Sequence, residues 1–147
     1  MTLRKKGRHW FGDDHADLRE EILSYSQANS YPAEHFANAL CSACGSDLFR
    51  TFLDDTEGCA FRVCASCQSK HFIGDSADFA SEANLEECAC PCGKEIFQIS
   101  VGVHLYPDSE DVKWLYLGLR CSSCGLSAVY GDWKNEYQDY KRLLVLV

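Results

Sequence analysis

The sequence has no long hydrophobic run. Its longest stretch of consecutive apolar residues covers positions 143–147, whereas a membrane-spanning helix needs about 18 or more. Four basic residues near the start are followed by residues 9–14, HWFGDD, instead of the apolar segment of a secretory signal. We therefore expect a cytoplasmic protein without a membrane segment.

Positive charge is also scarce. The 147 residues include 14 Lys and Arg against 22 Asp and Glu, for a net charge of −8, and 46% of them are hydrophobic, as in an ordinary globular protein. Contact with nucleic-acid phosphates requires clustered Lys and Arg, and the only such cluster is Arg4, Lys5, Lys6 and Arg8. The charge balance argues against nucleic acid and favours a protein partner with a basic surface.

Cysteine is absent from the first 40 residues and abundant after them. Ten cysteines form three C-x-x-C pairs and one compressed group: Cys41/Cys44, Cys64/Cys67, Cys121/Cys124, and Cys88, Cys90 and Cys92, with Cys59 apart. Two closely spaced pairs can give one metal ion four thiolates from two tight turns. Since cytosolic thiols stay reduced, the pattern predicts two metal sites in preference to disulfides.

The cysteine-containing part of the sequence shows an internal repeat. Residues 44–49 (CGSDLF) match residues 92–97 (CGKEIF), and residues 64–75 match residues 121–132 through C-x-S-C and a later Gly-Asp. Each unit is predicted to contain a cysteine turn, a strand, an acidic turn, a second strand and a second cysteine turn. The sequence thus predicts an internal repeat with two β-hairpins.

This arrangement resembles the zinc-ribbon and rubredoxin-like proteins, in tandem across roughly residues 41–133. The expected fold class is α+β, with two tandem four-cysteine zinc-ribbon β-domains preceded by a short helical segment. The expected divisions are an N-terminal helical segment at 1–40, a first ribbon plus linker at 41–87, and a second ribbon plus C-terminal segment at 88–147.

The repeat also assigns the metal ligands. The first set is Cys41, Cys44, Cys64 and Cys67, and the second set is Cys90, Cys92, Cys121 and Cys124. Cys88 is a possible substitute for Cys90, because the position three residues before Cys92 is Ala89. Two zinc ions are expected. Iron is the alternative, since the spacing of the cysteines suits both metals.

Other elements are expected outside the cysteine units. They are a helix through residues 18–25 capped by Asp13 or Asp14, a short helix at 32–40, a helical linker at 76–87, and a loop or short helix at 133–141.

The ligand chemistry predicts a protein that is not an enzyme. Catalytic zinc keeps an open coordination position, usually beside histidine ligands, whereas all-thiolate sites are closed and structural. No small-molecule substrate is evident from the sequence. The expected function is a zinc-binding protein-interaction or regulatory module, and the alternatives are a nucleic-acid-binding or transcription-associated zinc ribbon and a rubredoxin-like iron electron carrier.

Overall fold

The computed structural model describes residues 3–147, so Met1 and Thr2 of the expected N-terminal segment lie outside it. Its elements are β1 (Arg4–Lys6), β2 (His9–Phe11), α1 (His15–Ala28), β3 (His35–Asn38), β4 (Phe49–Asp54), β5 (Cys59–Cys64), β6 (Lys70–Phe72), a 3₁₀ helix (Ser76–Glu82), β7 (Glu86–Glu87), β8 (Phe97–Leu105), β9 (Val112–Cys121), β10 (Leu126–Lys134) and α2 (Tyr140–Leu144). None of the helices within residues 3–147 is long and apolar enough to cross a membrane.

The ten described strands form one antiparallel sheet. Its order is β1-β2-β10-β9-β8-β4-β5-β6, with β3 also paired to β8 and β7 to β4. The α+β class agrees with this architecture, but a sheet of ten strands is larger than a zinc ribbon. The division at residues 40 and 87 stays a prediction.

The two expected hairpins are joined by one pair of residues. Phe49 pairs with Cys64 in the β4–β5 hairpin, and Phe97 pairs with Cys121 in the β8–β9 hairpin. Phe49 also pairs directly with Phe97, which connects β4 to β8. Both phenylalanines are fully buried, so the hairpins share a core at this junction.

Helix α1 packs on the central strands of the sheet. Its N-cap is Asp14, whose carboxylate accepts a hydrogen bond from the backbone N–H of Asp17, and Leu18 and Ile22 are fully buried. A Cβ at Gly118 of β9 would lie 2.5 Å from Ile22 Cδ1. The glycine therefore allows the helix to approach the sheet closely, and the expected helix is confirmed.

The helix expected at residues 32–40 is wrong. The segment contains β3 instead, which pairs with the half of β8 that extends beyond β4. A Cβ at Gly102 of β8 would lie 3.0 Å from the Phe36 ring, so glycine leaves space for that ring on the sheet. Pairing satisfies backbone groups of β8 that would otherwise form an exposed strand edge, and this outweighs local helix preference.

The two remaining segments partly match their predictions. The linker at 76–87 begins with the 3₁₀ helix but ends as β7, where Glu87 pairs with Phe52 of β4. Residues 133 and 134 extend β10, and α2 begins only at Tyr140. Leu143 of α2 is fully buried. It lies close to Gly74, since a Cβ added to Gly74 would be 2.9 Å from Leu143 Cδ1. The C-terminal helix therefore packs against the first hairpin unit.

Candidate metal centres

The first candidate centre brings together two cysteine turns. Cys41 and Cys44 precede β4, while Cys64 and Cys67 follow at the end of β5. The Sγ atoms of Cys41 and Cys67 are 3.5 Å apart, as are those of Cys44 and Cys64. All four sulfurs lie within 4.8 Å of one another.

The second candidate centre has the same construction. Its four residues are Cys90, Cys92, Cys121 and Cys124, with sulfurs again within 4.8 Å of one another. The Cys90 and Cys124 sulfurs are 3.5 Å apart, and those of Cys92 and Cys121 are 3.7 Å apart. The structure thus brings together both sets of four cysteines that the sequence pairs, and it includes Cys90 in the second.

The sulfur spacing fits a metal ion at the centre of each group. Four sulfurs held 2.3 Å from one zinc ion in a tetrahedron lie about 3.8 Å from one another, close to the distances in both groups. A disulfide would bring two sulfurs to about 2.05 Å, and all ten cysteines are free thiols. The two groups could therefore hold metal ions.

Backbone geometry at the turns directs N–H groups toward the sulfurs. Cys64 Sγ accepts a hydrogen bond from Ser66 N at 3.4 Å, and backbone N–H groups of Cys67 and Ser66 lower the pKa of the Cys64 thiol. Hydrogen bonds with the hydroxyl and backbone of Ser69 lower the pKa of Cys67 to about 6. Such bonds favour the thiolate, the form that binds metal. In the same group the pKa of Cys44 is raised to about 12: the backbone N–H of Ser46 lowers it, but hydrogen bonds with Cys64 and the other sulfurs, together with burial, outweigh that effect.

The turns require left-handed backbone at one position each. Gly45, Gly93 and Gly125 have φ angles of +79°, +93° and +83°, which glycine adopts without steric cost. In the fourth turn the corresponding residue is Gln68, with φ of +66°. Glycine therefore occupies the left-handed position in three of the four turns.

The two cysteines outside the groups are buried. Cys88 is 8% exposed, and its backbone N–H donates to Thr51 O of β4 at 2.8 Å. Burial raises the pKa of its thiol to about 11. Cys59 is fully buried and its Sγ donates to Ser76 O at 3.3 Å. Both cysteines therefore lie outside the two groups of four.

A scan against protein-family models and searches of curated proteins and of solved structures found no match. The likeness to zinc ribbons accordingly stands on the cysteine spacing and on the geometry of the two groups.

Arg62 is a buried cation beside the first centre, and no sequence pattern indicates this position. Arg62 on β5 is 3% exposed, and its guanidinium lies over the Phe49 ring at 4.5 Å. Its Nη2 donates to the Val147 and Leu40 carbonyl oxygens at 3.0 and 3.3 Å. Burial lowers the pKa of the Arg62 guanidinium, and the charges of Cys41 and Cys64 act against that shift, so ionisation of these thiols would stabilise the buried cation.

Some acidic residues in the turns have structural roles. The Asp54 carboxylate accepts hydrogen bonds from the backbone N–H groups of Asn84, Thr56 and Glu57. These bonds, led by the one from Asn84, lower its pKa. In the second hairpin, Asp111 accepts from the backbone N–H of Asp139 at 3.1 Å. These two carboxylates close loops, whereas neighbouring acids such as Asp55 and Glu57 are exposed.

Proposed function

We propose that each four-cysteine group binds one zinc ion and that both ions are structural. The observation that carries this proposal is the pair of all-sulfur groups at tetrahedral spacing. Within the part of the chain that the structure describes, neither group includes a His, Asp or Glu ligand. Four thiolates fill the coordination sphere of zinc and leave no position for substrate.

We assign zinc in preference to iron, and a direct measurement of the bound metal tests this choice. A Cys₄ tetrahedron suits both metals, and the iron alternative would make the chain an electron carrier. Metal analysis of protein purified from cells grown with both metals should give two zinc per chain and a colourless protein. A red protein containing iron would overturn the zinc assignment.

We further propose that the zinc-stabilised sheet is a non-catalytic protein-interaction or regulatory module for a partner with a basic surface. The net charge of −8 supports this, because opposite charge accelerates association and selects partners. Each loaded centre would add to the negative charge, since four thiolates outweigh one divalent ion. The test is a pull-down from the native host, with the zinc-loaded chain as bait and high salt as the competitor.

Nucleic-acid binding is the second candidate because of one local feature. The basic residues Arg4, Lys5 and Lys6 are all exposed and form β1 at an edge of the sheet, where Lys5 lies 5.9 Å from the Trp10 ring centroid. Binding to single-stranded DNA or RNA that weakens with salt, and is lost when Lys5 and Lys6 become Gln, would support this alternative against the protein partner.

A further inference from the structure

A surface cleft is formed partly by the β4–β5 turn, and none of the cysteines of the two centres lines it. The cleft has a volume of about 290 Å³ and is lined by Glu57, Gly58, Asp75, Phe79, Trp133, Lys134, Asn135 and Glu136. These residues come from the β4–β5 turn, the start of the 3₁₀ helix, and the end of β10 with the two residues that follow.

Aromatic rings form part of the cleft wall. Trp133 is only 7% exposed. It packs against Gly58, since a Cβ added to Gly58 would be 2.7 Å from Trp133 Cδ1. Phe79 is 43% exposed, so part of its ring is open to a ligand in the cleft. Aromatic surfaces of this kind attract organic cations.

The side chains that line the cleft offer more hydrogen-bond acceptors than donors. Among residues 3–147, neither Glu57 nor Asp75 has a basic side chain within ion-pair distance, whereas Glu136 is paired with Lys134 at 3.3 Å. Asp75 accepts a hydrogen bond from Asn135 Nδ2 at 3.2 Å. Burial raises the pKa of its carboxyl group, so its anion gains from a nearby positive charge.

Asn135 is a buried polar residue in the wall of the cleft. It is 6% exposed, and its Oδ1 has no hydrogen-bond partner within the described part of the chain. A buried acceptor without a donor is costly. A ligand that carries N–H groups and positive charge would pair with the carboxylates of Glu57 and Asp75, which both line the cleft.

We propose that this cleft binds one lysine or arginine side chain of a protein partner. The cleft is large enough for such a side chain, its rings suit the aliphatic stem and the cationic end, and its carboxylates supply the opposite charge. The inference rests on the proposed interaction function and identifies the surface that contacts the basic partner.

The test is a two-dimensional amide NMR titration of the metal-loaded chain with N-acetylarginine amide. Saturable shifts are expected at residues 57–58, 75–79 and 133–136, with millimolar affinity. The neutral analogue N-acetylcitrulline amide should cause no comparable shifts. Equal shifts with both compounds, or shifts spread over the whole surface, would overturn the proposal.

Substitutions in and beside the cleft test whether the arginine amide binds there. Glu57→Gln and Phe79→Ala change exposed side chains and should each weaken binding about threefold, whereas Asp55→Asn in the same turn, which does not line the cleft, should leave it unchanged. Equal weakening by all three variants would contradict a defined site. Saturation by spermidine at lower concentration than by the arginine amide would contradict a protein partner.

The metal content separates the two proposals. The metal content is measured before each titration, so a negative titration of protein that carries two zinc ions overturns the cleft and leaves the zinc assignment standing. A chain that lacks zinc yet still binds the arginine amide would overturn the zinc assignment and support the cleft.

Discussion

Phe49 and Phe97 pair with each other across the junction of the two hairpins. The sequence match between residues 44–49 and 92–97 places these two residues at equivalent positions, and each also pairs with the first cysteine of a C-x-x-C turn, Cys64 or Cys121. Equivalent residues that pair in antiparallel fashion are related by a local twofold axis. This geometry is what a duplicated hairpin would produce, although the duplication itself stays a prediction.

The shared junction predicts that the two hairpins unfold together. Phe97→Ala should lower the free energy of unfolding by about 3–5 kcal/mol, because the fully buried ring leaves a cavity. Hydrogen exchange should then show that amides of β5 and β9 lose protection in parallel. Loss confined to β8 and β9, with β4 and β5 still protected, would show that the hairpins are independent domains.

A second prediction concerns the close contact between Gly118 and helix α1, which should make the protein's stability sensitive to a larger residue at position 118. Gly118→Ala would place a Cβ 2.5 Å from Ile22 Cδ1 and should destabilise the protein by about 1–3 kcal/mol, the usual cost of overpacking. Ile22→Ala removes that Cδ1 atom and also Cγ1, which would lie 2.7 Å from the new Cβ. In urea denaturation the double variant should therefore lose less stability than the two single variants added together, and strict additivity would contradict the contact.

Parts of this architecture could be predicted from the sequence because they depend on local patterns. Asp14 followed by Leu18 and Ile22 gives a capped amphipathic helix, and the cysteine spacing determines which thiols share a turn. The strand at His35–Asn38 could not be predicted, since it forms only because β8 extends beyond β4 and leaves an edge to cover. Arg62 was missed for a similar reason: its burial depends on residues 40 and 147, which are distant in sequence.

The two cysteines that compete for the second centre should behave differently. Cys90→Ser removes a sulfur from the group and should reduce the metal content from two ions to one, whereas Cys88→Ser should retain both, since Cys88 lies outside the group. Native mass spectrometry measures each stoichiometry. The reverse pattern would assign Cys88 as the ligand.

Arg62 should strengthen metal binding at the first centre. Replacing it with Met removes a buried positive charge near thiolates, and release of one of the two ions to a chelator should become easier by about tenfold or more. Arg50→Met is the matched control, because Arg50 is on the neighbouring strand β4, is partly exposed and pairs with Glu87. Equal release from both variants would contradict a specific role for Arg62.

The central claim is that two zinc ions hold this sheet together. Native mass spectrometry combined with far-UV circular dichroism during chelation tests it most directly. We predict two zinc ions per chain and loss of the β spectrum as they are removed, because metal binding contributes to the folding free energy. Fewer than two ions per chain, or an unchanged spectrum after complete metal removal, would contradict the claim.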